Sequence, residues 1–175
     1  MILVAVGTFI QGFDALVRAA DAATAGLGLP GFAQIGHGRV LPRHLAWSRF
    51  LDEPDFRRRL AAARLVVCHG GMGIVGDAMR AGRPILAVPR RGATTRGNPA
   101  NDQLAFVERL AERHPIAVCT DLGRLGERIS AVLAGPPPPL DYALTNDVPG
   151  MLAAFLGSTA GAPGTPSAGP RPRLV

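Results

Sequence analysis

The sequence predicts an α/β domain built on a doubly wound, mostly parallel, Rossmann-like sheet. Short runs that are apolar without interruption recur along the chain: Ile2-Leu3-Val4-Ala5-Val6, Leu65-Val66-Val67-Cys68 and residues 85–88. A strand buried on both faces reads this way, because neither face meets water. Helical stretches of about ten residues alternate with these runs, and glycines and prolines punctuate the joins. That alternation is the pattern of strand–helix–strand units around one sheet.

Each element has its local reason. The first strand ends at Gly7-Thr8. Residues 13–25 then read as an amphipathic helix with Phe13, Leu16, Val17 and Ala20 on one face. Gly26, Gly28, Pro30 and Gly31 break it, and residues 32–35 form a second strand ending at Gly36. Between residues 37 and 51 a short strand near Val40 and a loop are both compatible with the sequence. Asp52 is the expected N-cap of a helix over 52–63, with Glu53 and Asp55 in its favourable first turn. After the strand at 65–68, the loop His69-Gly70-Gly71-Met72-Gly73 leads into a helix over 74–81, closed by Gly82 and followed by Pro84. Residues 85–88 form the next strand. A polar loop over 90–100 follows, and Asn101 is expected to cap a helix running to Arg113. Residues 116–119 are the last strand and 122–133 the last helix.

Three regions are expected: a domain over residues 1–135, a Pro-rich spacer with a further helical segment over 136–156, and a disordered Pro/Gly-rich tail over 157–175. The chain has 175 residues, and all nineteen of its basic side chains are arginine. Uniform arginine beside abundant Ala, Gly and Pro points to compositional bias, so the net charge of +6 overstates any nucleic-acid signal. Basic and aromatic residues are not interleaved as in single-strand binders, and no nucleic-acid partner is expected. A basic face toward anionic lipid remains compatible with the charge. No run of about 18 apolar residues escapes a charge, Pro or Gly, so no membrane span is expected, nor is a secretory leader. Two cysteines, Cys68 and Cys119, make no disulfide framework and suit a reducing cytoplasm.

The residues able to carry chemistry cluster at strand ends. The 69–73 loop joins a buried strand to a helix, where free N–H groups and the helix dipole favour an anion. Its glycines either allow a phosphate close to the backbone or serve a tight turn with positive φ. It is neither a Walker A loop nor the dinucleotide fingerprint. His69 can donate to a phosphate oxygen or serve the core. Asp77 can hold ribose hydroxyls or compensate a helix dipole. Gly7 and Thr8 offer further donors at the same edge. Asn101, Asp102 and Gln103 suit sugar hydroxyls or helix capping, and Arg90 with Arg91 suits a diphosphate or solvent. Trp47 can stack on a base or pack on the domain. The four histidines are scattered and no metal site is expected.

Taken in order, these motifs resemble a known family. Val4-Ala5-Val6-Gly7-Thr8 with Phe13-Asp14-Ala15-Leu16-Val17 matches its opening motif. Ala63-Arg64-Leu65-Val66-Val67-Cys68-His69-Gly70-Gly71-Met72-Gly73 matches the central one. Gly82-Arg83-Pro84-Ile85-Leu86-Ala87-Val88-Pro89-Arg90-Arg91, followed by Asn101-Asp102-Gln103, completes the set. The chain thus resembles the C-terminal, donor-binding half of family 28 glycosyltransferases over about residues 1–135. It is similar to the free-standing subunits of two-component N-acetylglucosaminyltransferases and bacterial exopolysaccharide glycosyltransferases. Ile74-Val75-Gly76 stands where that family commonly has a helix start with Ser or Thr, and residues 95–100 lack its usual Glu or His.

The resemblance implies the C-terminal half of a GT-B fold and a UDP-sugar donor, with no metal or other cofactor. By position, Gly70, Gly71, Met72 and Gly73 would face the diphosphate, with His69 before them, and Asp77 would hold the ribose. Asp102 and Gln103 would read the donor sugar, and Gly7 and Thr8 would form the first glycine loop. The implied function is that of the UDP-sugar-binding catalytic subunit of a two-component glycosyltransferase. It would transfer a hexose or N-acetylhexosamine to a lipid-linked sugar acceptor in glycan or exopolysaccharide synthesis. The general base is expected on a membrane-anchored, acceptor-binding partner subunit, which would hold this chain at the inner face of the membrane. The alternative is a stand-alone nucleotide-sugar-binding or regulatory protein without transferase activity.

Overall fold

The computed structural model describes residues 1–92 and 102–138, together with Ala153. The chain divides into two units, Met1–Tyr142 and Ala143–Val175, and every element below belongs to the first. The expectations for the 93–101 loop, for the chain beyond residue 138 apart from Ala153, and for the tail lie outside the described residues.

Among the described residues six strands and five helices follow one another: β1 (Ile2–Ala5), α1 (Asp14–Gly26), β2 (Gly31–Gln34), β3 (Ala46–Ser48), α2 (Glu53–Ala62), β4 (Leu65–His69), α3 (Met72–Arg80), β5 (Ile85–Val88), α4 (Leu104–Ala111), β6 (Ala117–Val118) and α5 (Leu125–Ala134). The strands form one sheet in the order β3-β2-β1-β4-β5-β6, and every pairing is parallel. This is the doubly wound α/β architecture expected from the sequence. Among the described residues no helix is long and apolar enough to cross a membrane.

The uninterrupted apolar runs divide by parity, because successive side chains of a strand point to opposite faces. Ile2, Val4, Val6, Leu65, Val67, Leu86 and Val88 pack with Leu16, Val17 and Ala20 of α1 and Ile129 of α5. Leu3, Ala5, Val66, Cys68, Ile85 and Ala87 pack on the other face with Leu60, Val75, Ala78, Met79 and Val107 of α2, α3 and α4. Each large aliphatic side chain buried this way contributes about 1.5–3 kcal/mol of transfer free energy. Cys68 is one of these core groups, and burial pushes its thiol up to about 12.

Local capping agrees with the sequence in two places. Asp52 accepts a bond from Asp55 N at 2.8 Å and starts α2. Gly82 follows the C-cap of α3 with φ +61°, the left-handed geometry that favours glycine. Of the two alternatives near Val40 the structure has the loop: its N–H bonds to Asp14 Oδ1 at 3.2 Å, and the strand lies at Ala46–Ser48. Two expectations need correction. Helix α4 starts at Leu104 and ends at Ala111, and Asp102 Oδ1 accepts from Leu104 N at 2.9 Å. The last helix is divided: Asp121 accepts from Gly123 N and tightens Leu122–Arg124 into a 3₁₀ turn before α5.

Asp21 on α1 fixes the 39–45 segment further. Its carboxylate accepts from the N–H groups of Arg43, His44 and Leu45 at 2.8–3.0 Å. Burial raises its pKa, but these bonds and the His44 charge outweigh burial and hold it below the ordinary 3.8. A carboxylate with a depressed folded value stabilises the fold above its unfolded pKa and loses that contribution as pH falls through the folded value. Asp21→Ala is therefore expected to cost about 1–2 kcal/mol near neutral pH. The difference from wild type should shrink below pH 3.8. Urea melts across that range check this, and a gap that persists unchanged at low pH would refute the role.

Candidate functional site

Parallel strands all leave the sheet at one edge. At that edge β1 and β4 are neighbours, with Ala5 opposite Cys68, but the chain leaves β1 toward β2 and β4 toward β5. The connections diverge there and open a crevice, the usual ligand position in doubly wound sheets. A cavity of ≈ 440 Å³ occupies it, lined by Gly7 and Thr8 after β1, and by His69, Gly73 and Asp77 after β4.

The two glycine loops are built around the imidazole of His69. Gly7 has φ +74°, and a Cβ there would lie 2.5 Å from His69 Cε1. A Cβ on Gly71 would collide with His69 Nε2, although φ −83° and ψ 137° suit any residue. Gly70 serves a different contact, since a Cβ there would collide with Val107 of α4. The glycines at 70 and 71 thus serve close approach, and the positive φ belongs to Gly7. Gly73 has open space beside it. His69 Nδ1 lies 3.5 Å from the Ala5 carbonyl. Burial first, and the Arg90 charge second, push the imidazole below its ordinary 6.5, so it is neutral at pH 7.

Helix α3 begins earlier than the sequence suggests, so Met72 and Gly73 belong to its first turn. Gly71 is its N-cap and offers no side chain to the free N–H groups, and the first turn contains no carboxylate. Such a terminus presents donors and a positive dipole end to an anion. Met72 is exposed. Asp77 sits in the second turn, too far along for dipole compensation, and pairs with Arg80 at the cavity wall.

The other expected site residues are placed differently. Asn101 lies outside the described residues. Asp102 is exposed and bonds Arg91 Nε at 3.1 Å; the Leu104 N–H, then Arg91, hold its carboxyl below the ordinary range. Gln103 accepts from Arg90 N through Oε1 at 3.1 Å, and its own N–H donates to the Arg90 carbonyl at 2.9 Å. Arg90 is turned inward rather than toward the cavity. It is buried, and its guanidinium donates to Val6 O at 2.8 Å and to Gly12 O. Those bonds occupy two of its nitrogens, so the expectation that it neutralises a diphosphate does not fit this placement. Trp47 is part-exposed on edge strand β3 and does not line the cavity.

Sequence reasoning missed Gln34, Leu51, Glu53 and Phe56, which complete the cavity wall. Gln34 ends β2 and is buried, a polar side chain at a strand's carboxyl end that alternation alone does not flag. Leu51 and Phe56 flank the start of α2, and placing β3 at 46–48 would have brought them to this edge.

The fold and the site define a class: a doubly wound α/β domain with a glycine-walled cavity at its switch point. Residues 1–141 match the glycosyltransferase family 28 C-terminal domain, and the chain belongs to that family. Solved structures share the fold at low identity. The glycotransferase of kitacinnamycin superposes with a TM-score of 0.60 at 21% identity, covering 77% of this chain and 35% of that one. MurG of Acinetobacter baumannii gives 0.56 at 21% identity, covering 75% and 40%. The UDP-GlcNAc 2-epimerase from Neisseria meningitidis, bound to UDP-GlcNAc, gives 0.57 at 11% identity, covering 89% and 43%. The chain therefore spans well under half the length of each of these proteins.

The packing of His69 yields a test. Gly7 and Gly71 both lie against the Nε2–Cε1 edge of the ring, so the ring has little room to yield to a new Cβ. Gly71→Ala is expected to cost about 1–3 kcal/mol by overpacking. In a His69→Ala background the same change should be close to neutral, because its backbone suits alanine. Denaturant melts of the four-member cycle measure the coupling, and an equal cost in both backgrounds would refute the contact.

Proposed function

We propose that this chain is the UDP-sugar-binding subunit of a glycosyltransferase whose acceptor-binding half is a separate, membrane-anchored partner. The observation that carries the donor reading is the cavity between the two glycine loops, closed at one end by the uncapped N-terminus of α3. The diphosphate would lie against the N–H groups of Met72 and Gly73, with His69 beside it as a neutral donor. Asp77, further along the same helix face, would accept the ribose hydroxyls once released from Arg80. Leu51 and Phe56 offer apolar surface to the base. Asp102 and Gln103, near the start of α4, would meet the sugar. Family membership and the UDP-GlcNAc bound in the epimerase neighbour support the same donor class.

In transfer, negative charge develops on the departing nucleoside diphosphate. Backbone donors fixed by the fold stabilise that charge without reorganising as it forms. The acceptor hydroxyl needs a general base. The ionisable groups lining the cavity are otherwise engaged: Glu53 pairs with Arg57, Asp77 with Arg80, and His69 packs against two glycines. A base from the partner fits this. The acceptor would be a lipid-linked sugar held by the partner, and the product a hexose- or N-acetylhexosamine-extended glycan or exopolysaccharide precursor.

UDP is expected to raise the Tm of the chain, and Asp77→Ala to remove most of that shift. A thermal-shift series with UDP and UDP-sugars checks both, and no shift with any of them would sink the nucleotide reading. The chain alone should transfer no sugar to a lipid-linked acceptor in a radiolabelled-donor assay. Turnover comparable to a partner-supplemented reaction would refute the divided enzyme, whereas binding without turnover in either arm would favour a stand-alone nucleotide-sugar-binding protein.

A further inference from the structure

The loop over residues 7–12 begins at the cavity, where Gly7 and Thr8 line it, and runs out to an exposed tip. Ile10 at its tip is 74% exposed and Phe9 is 37% exposed. Gly7 and Gly12 take positive φ of 74° and 56°, which makes both ends hinge-like in a free chain. The side chain that joins these ends comes from β5's far terminus. Arg90 donates through one guanidinium nitrogen to the carbonyl of Val6, the residue before the loop, and through the other to Gly12, the residue that closes it. Its guanidinium carbon lies 4.7 Å from the Phe13 ring centroid and 5.8 Å from that of Phe9, so aromatic rings from the loop and the start of α1 face the charge.

The backbone of the same residue holds the residue that precedes α4. Arg90 N donates to Gln103 Oε1, and Arg90 O accepts from Gln103 N. Gln103 in turn lies against Gly70, where a Cβ would come within 3.1 Å of its own Cβ. Arg90 thus bonds directly to the loop after β1 and to the start of α4, two segments separated by some ninety residues of chain. Only a planar fork can donate in parallel to two carbonyls at fixed separation while presenting its face to an aromatic ring.

We propose that Arg90 is a positioning residue. Its guanidinium clamps the 7–12 loop between Val6 and Gly12 while its backbone fixes Gln103, so the loop that carries Gly7 and Thr8 and the start of α4 are held as one unit. The part that concerns ligand affinity rests on the nucleotide-sugar reading above; the clamp itself does not. Arg90 acts through Gly7, Thr8 and Gln103 and makes no contact with the ligand.

Amide hydrogen exchange and calorimetric UDP binding, measured on Arg90→Gln and Arg90→Lys in the full chain, test this. Gly12 N donates to Phe9 O inside the loop and reports the clamp, while Val66 N donates to Pro84 O beside the sheet and reports the whole fold. Both variants should speed exchange at Gly12 by about tenfold or more relative to Val66, as expected when a local tether is lost. Both should weaken UDP binding by about tenfold, and lysine should rescue neither effect. Rescue of UDP affinity by lysine, with Gly12 exchange unchanged, would mean that the charge acts directly on the ligand, and would overturn the proposal. So would equal acceleration at Gly12 and Val66, which marks global destabilisation, and so would wild-type behaviour at both. If wild type itself binds no UDP, the nucleotide reading fails while the exchange data still decide the clamp.

Discussion

The parallel pairing of β1 with β4 is the constraint on which the site depends. It sets Ala5 opposite Cys68, so the residues that follow each strand emerge side by side at one edge of the sheet. The first segment emits Gly7 and Thr8, the second His69 and the glycine loop. Neither segment alone has the means to make a site. The register brings them within contact, and the reversal of strand order between them supplies the crevice. The register is itself held by two-faced burial, since a one-residue slip would exchange every side chain between the two cores.

Within that crevice the protein uses dipoles more than charges. The composition, rich in arginine, suggests a cationic pocket, but the arginines near the site are spent elsewhere. Arg90 is committed to backbone carbonyls, Arg91 to Asp102, Arg80 to Asp77 and Arg57 to Glu53. His69 is held neutral by burial and by Arg90. What faces the cavity as positive potential is the open N-terminus of α3. Fixed N–H groups carry no desolvation cost comparable to a buried guanidinium, and they cannot reorganise as charge develops on a leaving group.

Much of this was legible in the sequence, for identifiable reasons. The strands β1 and β5 are apolar at every position, and β4 is apolar up to His69; that pattern has few readings. The glycine loop after β4 was legible because it lies between a buried strand and a helix that Gly82 closes. Asp14 and Asp21 were not legible as loop anchors: their partners lie more than twenty residues away, and the segment they hold is loop up to the strand at Ala46–Ser48. With that strand unplaced in the sequence, Leu51 and Phe56 were not brought to the edge of the sheet. The inward turn of Arg90 was equally hidden, because a carbonyl acceptor at Val6 or Gly12 leaves no mark in residue type. Sequence identifies which side chains can hold an anion, but competition from backbone acceptors elsewhere decides which of them do.

The glycines of the second loop separate structural need from ligand need. Gly70 is required by Val107, and Gly71 by His69, so their missing side chains are accounted for by the fold. Gly73 is not: a Cβ there would meet nothing within 4 Å. It lies in the first turn of α3 with helical backbone, where glycine is less stable than alanine by about 1 kcal/mol. No internal contact therefore calls for glycine at this position. It lines the cavity beside Thr8 and Asp77, at the open end of the helix dipole. There, the absence of a side chain leaves the backbone N–H open toward the cavity, and under the proposed donor reading it keeps that N–H within reach of a group as bulky as a diphosphate.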